Sequence, residues 1–348
     1  MLILGRLFLI VPLLLASAIA HAAANPCDMK LLALMDVEID DWGTVLVPVR
    51  IEGHDAWMIL DIASDLPWVF RSSVDLLGLM LKPIKGVKMR VGAQPVVNQV
   101  KVGHLILGKA DFAGWDMYVV PDSGPAPLSY RGRPLIGVLT SGLMQAVDVE
   151  LNLGAKKINL FSHTSCRGQS VYWGGGYTVV DLITDWTGLM IFPMELEGQR
   201  IATSFNTGSR YSRIHSEVAK KFFGFDEKSD HIEKETLDNG GEISSYRAMG
   251  LTAKGLSVNN AKIQIVKRLN ACKASVSGRA SRAIGYTNCM KPTPFSIGTD
   301  LLKKLRVYIA SREKKIYITR ADPAVRPEPS AASAMPAAPV SDAPEQTK

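Results

Sequence analysis

The 348-residue sequence predicts an all-β protein of two lobes carrying short helices, and three observations lead there. A block of sequence recurs in one register: Pro48, Gly53 and Asp61 return as Pro193, Gly198 and Asn206, each 145 positions later with no gap. Both copies alternate apolar and polar residues before the glycine, which is the period of a half-buried strand. Each copy then closes on a helix-and-hairpin signature. Together these mark an internal duplication, so the chain should fold as two related halves.

Val47-Pro48-Val49-Arg50-Ile51-Glu52-Gly53 and Phe192-Pro193-Met194-Glu195-Leu196-Glu197-Gly198 open the two copies as hairpins turning at the Glu-Gly pair. The second hairpin strand runs into Asp61-Ile62-Ala63-Ser64 in one copy and Asn206-Thr207-Gly208-Ser209 in the other. A tight polar loop follows each, then Trp68-Val69-Phe70 or Arg213-Ile214-His215. Ser216 to Phe223 reads as a helix stopped by Gly224. Leu143 to Val147 and Leu301 to Leu305 read as short helices, each feeding a hairpin: Asp148–Leu153 with Lys157–Phe161, and Arg306–Ile309 with Lys315–Ile318.

The ends read differently. Arg6 followed by the apolar run Leu7 to Ala20, with small residues flanking His21, fits an export signal cleaved after Ala22. The run is shorter than the ~20 residues of a membrane span and is interrupted by Pro12; an uncleaved anchor is the alternative. Residues 321–348 are rich in Ala, Pro and Ser without aromatics, the composition of a disordered tail. The expected organisation is residues 1–22 signal, 23–165 first lobe, 166–180 linker, 181–320 second lobe and 321–348 tail. Gly174-Gly175-Gly176 lacks the following Lys of a phosphate loop and reads as linker.

Cys27, Cys166, Cys272 and Cys289 suit an oxidising compartment, periplasmic or secreted, and two disulfides. Three pairings are open; Cys272 with Cys289 and Cys27 with Cys166 is the one expected. No spacing of cysteines or histidines suits a metal. The charge of +7 comes from scattered basic residues, with Lys85, Lys88 and Arg90 alternating as in a solvated hairpin, which argues against a nucleic-acid partner.

Ile59-Leu60-Asp61-Ile62-Ala63-Ser64 and Ser204-Phe205-Asn206-Thr207-Gly208-Ser209, closed by Val138-Leu139-Thr140 and Ile297-Gly298-Thr299, resemble the paired apolar-apolar-D-T-G-[SA] and apolar-apolar-Gly motifs of aspartic peptidases. The bacterial retropepsin-like members with two fused halves are the nearest pattern. The resemblance spans most of residues 40–320 and implies a pepsin-like or retropepsin-like acid protease fold. It also implies an interlobe cleft for peptide and no cofactor. Two carboxylates sharing one proton do that chemistry, one activating water and the other polarising the carbonyl.

This chain departs from the pattern in both halves. The first keeps Asp61 but has Ile62, Ala63 and Thr140 where the motif has Thr, Gly and Gly. The second keeps Thr207, Gly208, Ser209 and Gly298 but carries Asn206 in place of the second aspartate. An amide cannot cycle a proton, and general acid–base catalysis contributes about 10²–10⁴-fold in rate. Asn206 is instead expected to donate its NH₂ to Asp61 across the cleft. The candidate site is therefore the incomplete pair Asp61 and Asn206, with Ser64, Asp65, Thr207, Gly208 and Ser209 contacting peptide. Asp65, whose counterpart is Arg210, is expected either to pair with an arginine or to touch substrate backbone.

Two functions follow from the resemblance: a peptide-binding protein with hydrolysis impaired, or a weak aspartic endopeptidase using Asp61. His54, His104, His163, His215 and His231 are scattered and read as surface or satisfied core residues. Ser64 and Ser209 lack the G-x-S-x-G turn of a serine hydrolase. Trp57, Trp68, Trp115, Trp173 and Trp186 read as core.

Overall fold

The computed structural model describes residues 29–84, 89–91, 94–122, 128–163, 171–173, 176–184, 188–225, 229–236, 242–267 and 293–321. The segment read as an export signal, all four cysteines and the residues beyond Ala321 lie outside these residues.

Each half is built around the predicted hairpin. Strands Val45–Ile51 and His54–Asp61 pair antiparallel, as do Met190–Leu196 and Gln199–Phe205. The two turns are the same. Glu52 (φ 46°) with Gly53 (φ 83°), and Glu197 (φ 49°) with Gly198 (φ 75°), both place two successive residues at positive φ. This is the turn whose twist matches a right-handed hairpin. A glutamate is tolerated there because its carboxylate is held: Glu52 Oε1 accepts the His104 N–H at 3.3 Å and the Gly103 N–H, and Glu197 Oε1 accepts the Met249 N–H at 2.7 Å.

The strand leaving each hairpin then takes an unusual neighbour. His54–Asp61 pairs in parallel with Arg133–Thr140, which pairs antiparallel on its other side with Trp68–Phe70. Gln199–Phe205 likewise pairs in parallel with Phe295–Ile297, and that strand antiparallel with Arg213–His215. In both lobes the strand latest in sequence slots between two earlier ones. Backbones crowd there: a Cβ on Gly137 would sit 2.2 Å from the Trp68 carbonyl oxygen, and one on Gly298 2.5 Å from the Tyr211 carbonyl carbon. Only glycine fits such an approach.

The halves share one six-stranded sheet, ordered Leu31–Asp36, Lys157–Phe161, Asp148–Asn152, Leu305–Ala310, Lys315–Arg320, Thr178–Asp181. At its centre Glu150 faces Tyr308, while Val149 faces Ile309 and Leu151 faces Val307. Val149 and Leu151 are the repeat counterparts of Val307 and Ile309, so the register is symmetric about the Glu150–Tyr308 pair. A pseudo-twofold axis therefore passes between the halves.

One face of this sheet carries Phe161, Trp173, Tyr308, Ala310 and Tyr317 as a separate apolar cluster. A buried charge pair sits beside it. Arg306 bonds through Nε to Glu150, which is fully buried, and its guanidinium lies 5.3 Å from the Tyr172 ring and 5.1 Å from the Trp173 ring. Tyr172 Oη and Asn159 Nδ2 also donate to Glu150, at 2.6 and 3.0 Å. Residues of the segment joining the lobes thus clamp a strand of the second lobe.

The helix Ser216–Phe223 ends at Gly224 (φ 68°) as the sequence indicates. Its counterpart Arg71–Leu76 was not anticipated. The helix expected over Leu143 to Val147 is a 3-10 turn at Ser141–Gln145, and that over Leu301 to Leu305 is a single α turn at Thr299–Leu302. Both begin earlier because they are pinned to the motif loops described next.

Candidate functional site

The two motif loops meet at the pseudo-twofold axis. Thr207 Oγ1 accepts the Ile62 N–H at 3.1 Å and donates to the Leu60 carbonyl at 2.5 Å, crossing from the second lobe into the first. Thr207 is fully buried, so both bonds form away from water. The Thr207 carbonyl in turn accepts the Val45 N–H at 3.2 Å. Ile62, also buried, occupies the matching position in the first lobe with a side chain that can form no such bond. The clasp is therefore one-sided.

Asp61 lies against the other loop's glycine. A Cβ on Gly208 would meet Asp61 Cγ at 2.9 Å and Oδ1 at 3.2 Å, so Gly208 is the opening into which the carboxyl fits. Each acid or amide is steadied by its own loop in the same way: Ala63 N–H donates to Asp61 Oδ1 at 3.0 Å, and Gly208 N–H donates to Asn206 Oδ1 at 3.1 Å. Among the described residues no hydrogen bond joins Asn206 to Asp61, unlike the expected cross-cleft bond. The amide oxygen accepts instead from its own loop, the Gly208 N–H two residues on, and the NH₂ makes no bond to Asp61.

Burial holds the Asp61 carboxyl above its ordinary value, and the Ala63 N–H only partly opposes this. Desolvation disfavours the charged form wherever no opposite charge compensates. Asp61 thus retains its proton more readily than a surface aspartate.

The closing segments buttress both loops. Ser141 N and Oγ donate to the Ser64 carbonyl at 3.0 and 2.9 Å, and Thr140 Oγ1 donates to the Asp65 carbonyl at 3.1 Å. In the second lobe Thr299 N and Asp300 N donate to the carbonyls of Ser209 and Arg210 at 2.9 and 2.8 Å. Thr140, standing where the motif has glycine, thus supplies a bond of its own. Ser209 is buried with its Oγ donating to the Tyr211 carbonyl at 3.2 Å. Arg210 reaches the Asp41 carbonyl at 3.3 Å and lies over the Tyr211 ring.

One contributor escaped the sequence reading. The turn Asp40–Thr44 from the first lobe packs onto the second lobe's loop: Thr299 Oγ1 donates to the Gly43 carbonyl at 2.8 Å, and a Cβ on Gly43 would lie 2.5 Å from Arg210 Cβ. Its tip, Trp42, is 83% exposed. The Asp-Trp-Gly-Thr run carried a turn signal, but nothing in a single sequence tells which loop such a turn will meet.

Fold and loops together define a two-lobed, pepsin-like all-β protein. No protein-family model matches the chain, and no curated protein does. Among solved structures it is similar to basic 7S globulin from soybean, with 8% identity over 85% of this chain and 96% of that one at a TM-score of 0.45. It is also similar to aspartic proteinase from Irpex lacteus, with 11% identity over 84% and 97% of the two chains at a TM-score of 0.44. Both are likenesses of overall fold and say nothing of what this chain does.

Proposed function

We propose that this is an exported aspartic-peptidase-like protein that holds an extended peptide between its lobes and does not cut it by the two-carboxylate route. The observation that carries the reading is the meeting of the loops: the Thr207 clasp sets Asp61 against Gly208, and the position related to Asp61 by the repeat is Asn206. Asp61 is the group poised to meet a peptide amide or carbonyl, with Ser64 and Asp65 following in its own loop and Thr207, Gly208 and Ser209 in the loop that meets it. The peptide or protein ligand, the periplasmic or secreted location and the absence of a cofactor belong to the same proposal. The leader-like start and the four cysteines support the location.

The test is binding of a library of unstructured peptides to the full chain, read by fluorescence anisotropy. Binding that weakens at least about tenfold in Asp61→Ala, without loss of folding, supports the reading. Equal binding by both proteins, or none by either, overturns it.

A second reading, a weak aspartic endopeptidase, is favoured by the raised proton affinity of Asp61. A carboxyl that keeps its proton to higher pH than an ordinary aspartate supplies half of the acid–base pair. Peptide cleavage by the natural chain, abolished in Asp61→Ala, distinguishes it.

A further inference from the structure

At the end of the shared sheet, a cavity of about 650 Å³ opens between the strand Thr178–Asp181 and the hairpin turn joining Leu305–Ala310 to Lys315–Arg320. Its wall holds Arg312, Lys314 and Lys315 beside the rings of Tyr177 and Tyr317, which meet edge to face at 5.6 Å. The size lies within the ~300–1,000 Å³ of small-molecule sites.

The charges there are not balanced. Glu313 accepts the Tyr317 hydroxyl through both oxygens, at 2.8 and 2.9 Å. Asp181 pairs with Lys315, and Lys254 and Arg200 also stand close enough to hold its carboxyl below the usual range. Among the described residues no carboxylate pairs with Arg312 or Lys314. Arg312, Lys314 and Lys315 of one turn therefore line the cavity, with Lys254 and Arg200 near Asp181, and both nearby carboxylates are already engaged. Like charges gathered this way raise the local concentration of anions.

The turn is also fixed in advance. Ser311 N–H donates to buried Asp148 at 3.1 Å, Leu182 N–H donates to the Lys314 carbonyl at 2.9 Å, and Lys314 holds φ 56°. Tyr177 stays 39% exposed beside these cations. An apolar ring next to unpaired cations suits a ligand that joins a phosphate to a less polar body.

We propose that this cavity binds a phosphate-bearing ligand, its anion on Arg312 and Lys314 and its body against Tyr177. The site is independent of peptide binding. Two sources share this chemistry: a soluble phosphorylated molecule and a phospholipid headgroup.

The experiment uses the full chain with two probes, inorganic pyrophosphate by calorimetry and vesicles of phosphatidylcholine with about one third phosphatidylglycerol by co-sedimentation. Arg312→Ala with Lys314→Asn removes two charges while keeping a residue that accepts positive φ. Arg131→Ala with Arg133→Ala removes two charges from the first lobe instead. Binding of at least one probe that falls about tenfold or more in the first variant and is unchanged in the second establishes the site. Arg312→Lys should retain it. Vesicle binding displaced by pyrophosphate assigns a soluble phosphate ligand, and vesicle binding that resists it assigns a headgroup. Failure of both probes to bind the natural chain, or equal weakening in both double variants, overturns the proposal.

Discussion

Thr207 and Ile62 occupy equivalent positions of the two copies, and only one holds the other: Thr207 Oγ1 takes the Ile62 N–H at 3.1 Å, while Ile62 has no hydroxyl to return the bond. The lobes are joined at the candidate site by half of a symmetric device.

Replacing Thr207 by valine therefore strands the Ile62 N–H and the Leu60 carbonyl in a buried setting. Unmet buried polar groups cost about 1–3 kcal/mol each, so the variant should lose about 2–6 kcal/mol by chemical denaturation. Thr207→Ser keeps the hydroxyl and should lose less. A larger loss for serine than for valine would mean that the methyl group, and not the clasp, matters.

Asp61 makes stability depend on pH. Its folded proton affinity is raised above the ordinary value of 3.8 by burial. The folded state therefore holds the proton more tightly than the unfolded state. The stability this contributes is complete below 3.8 and is lost as pH rises through the folded value. Asp61→Asn carries no such loss. Relative to the natural chain it should gain stability between acid and neutral pH, the difference closing below 3.8, as measured by denaturation series. Asp300, also raised by burial, is present in both proteins and cancels.

Gly208→Ala places a methyl group 2.9 Å from Asp61 Cγ, so the carboxyl or the loop must move. A cost of about 1–3 kcal/mol is expected, with loss of Asp61-dependent peptide binding. Gly250→Ala, where an added Cβ meets nothing within 4 Å, should change stability by less than about 0.5 kcal/mol.

Beneath the shared sheet, Arg306→Met leaves Glu150 buried without its countercharge and should cost about 3–5 kcal/mol. Adding Glu150→Leu removes the stranded charge and should recover most of that loss. A double variant no better than the single one would show that the aromatic sandwich around Arg306 matters more than the pair.

Much of this was legible in the sequence because the duplication was written without gaps. Pro48, Gly53 and Asp61 reappearing at a constant interval gave both hairpins and both Glu-Gly turns. The strand that enters each lobe between two earlier ones was not legible, since Gly137 and Gly298 announce a close approach without naming the partner. Nor was the orientation of the Asn206 amide, because its oxygen turns to the Gly208 N–H of its own loop and single-sequence patterns do not show which way an amide will point. The cationic cavity was invisible for a similar reason: Tyr177 and the turn at residues 312–315 lie far apart in the chain and come together only in the fold.

The most direct measurement is cleavage of a peptide library between about pH 3 and 7, read by mass spectrometry, for the natural chain and for Asn206→Asp combined with Ile62→Thr and Ala63→Gly. The natural chain should leave every peptide intact, and the repaired chain should cut in acid. Cleavage by the natural chain that pepstatin blocks and Asp61→Ala abolishes would contradict the account.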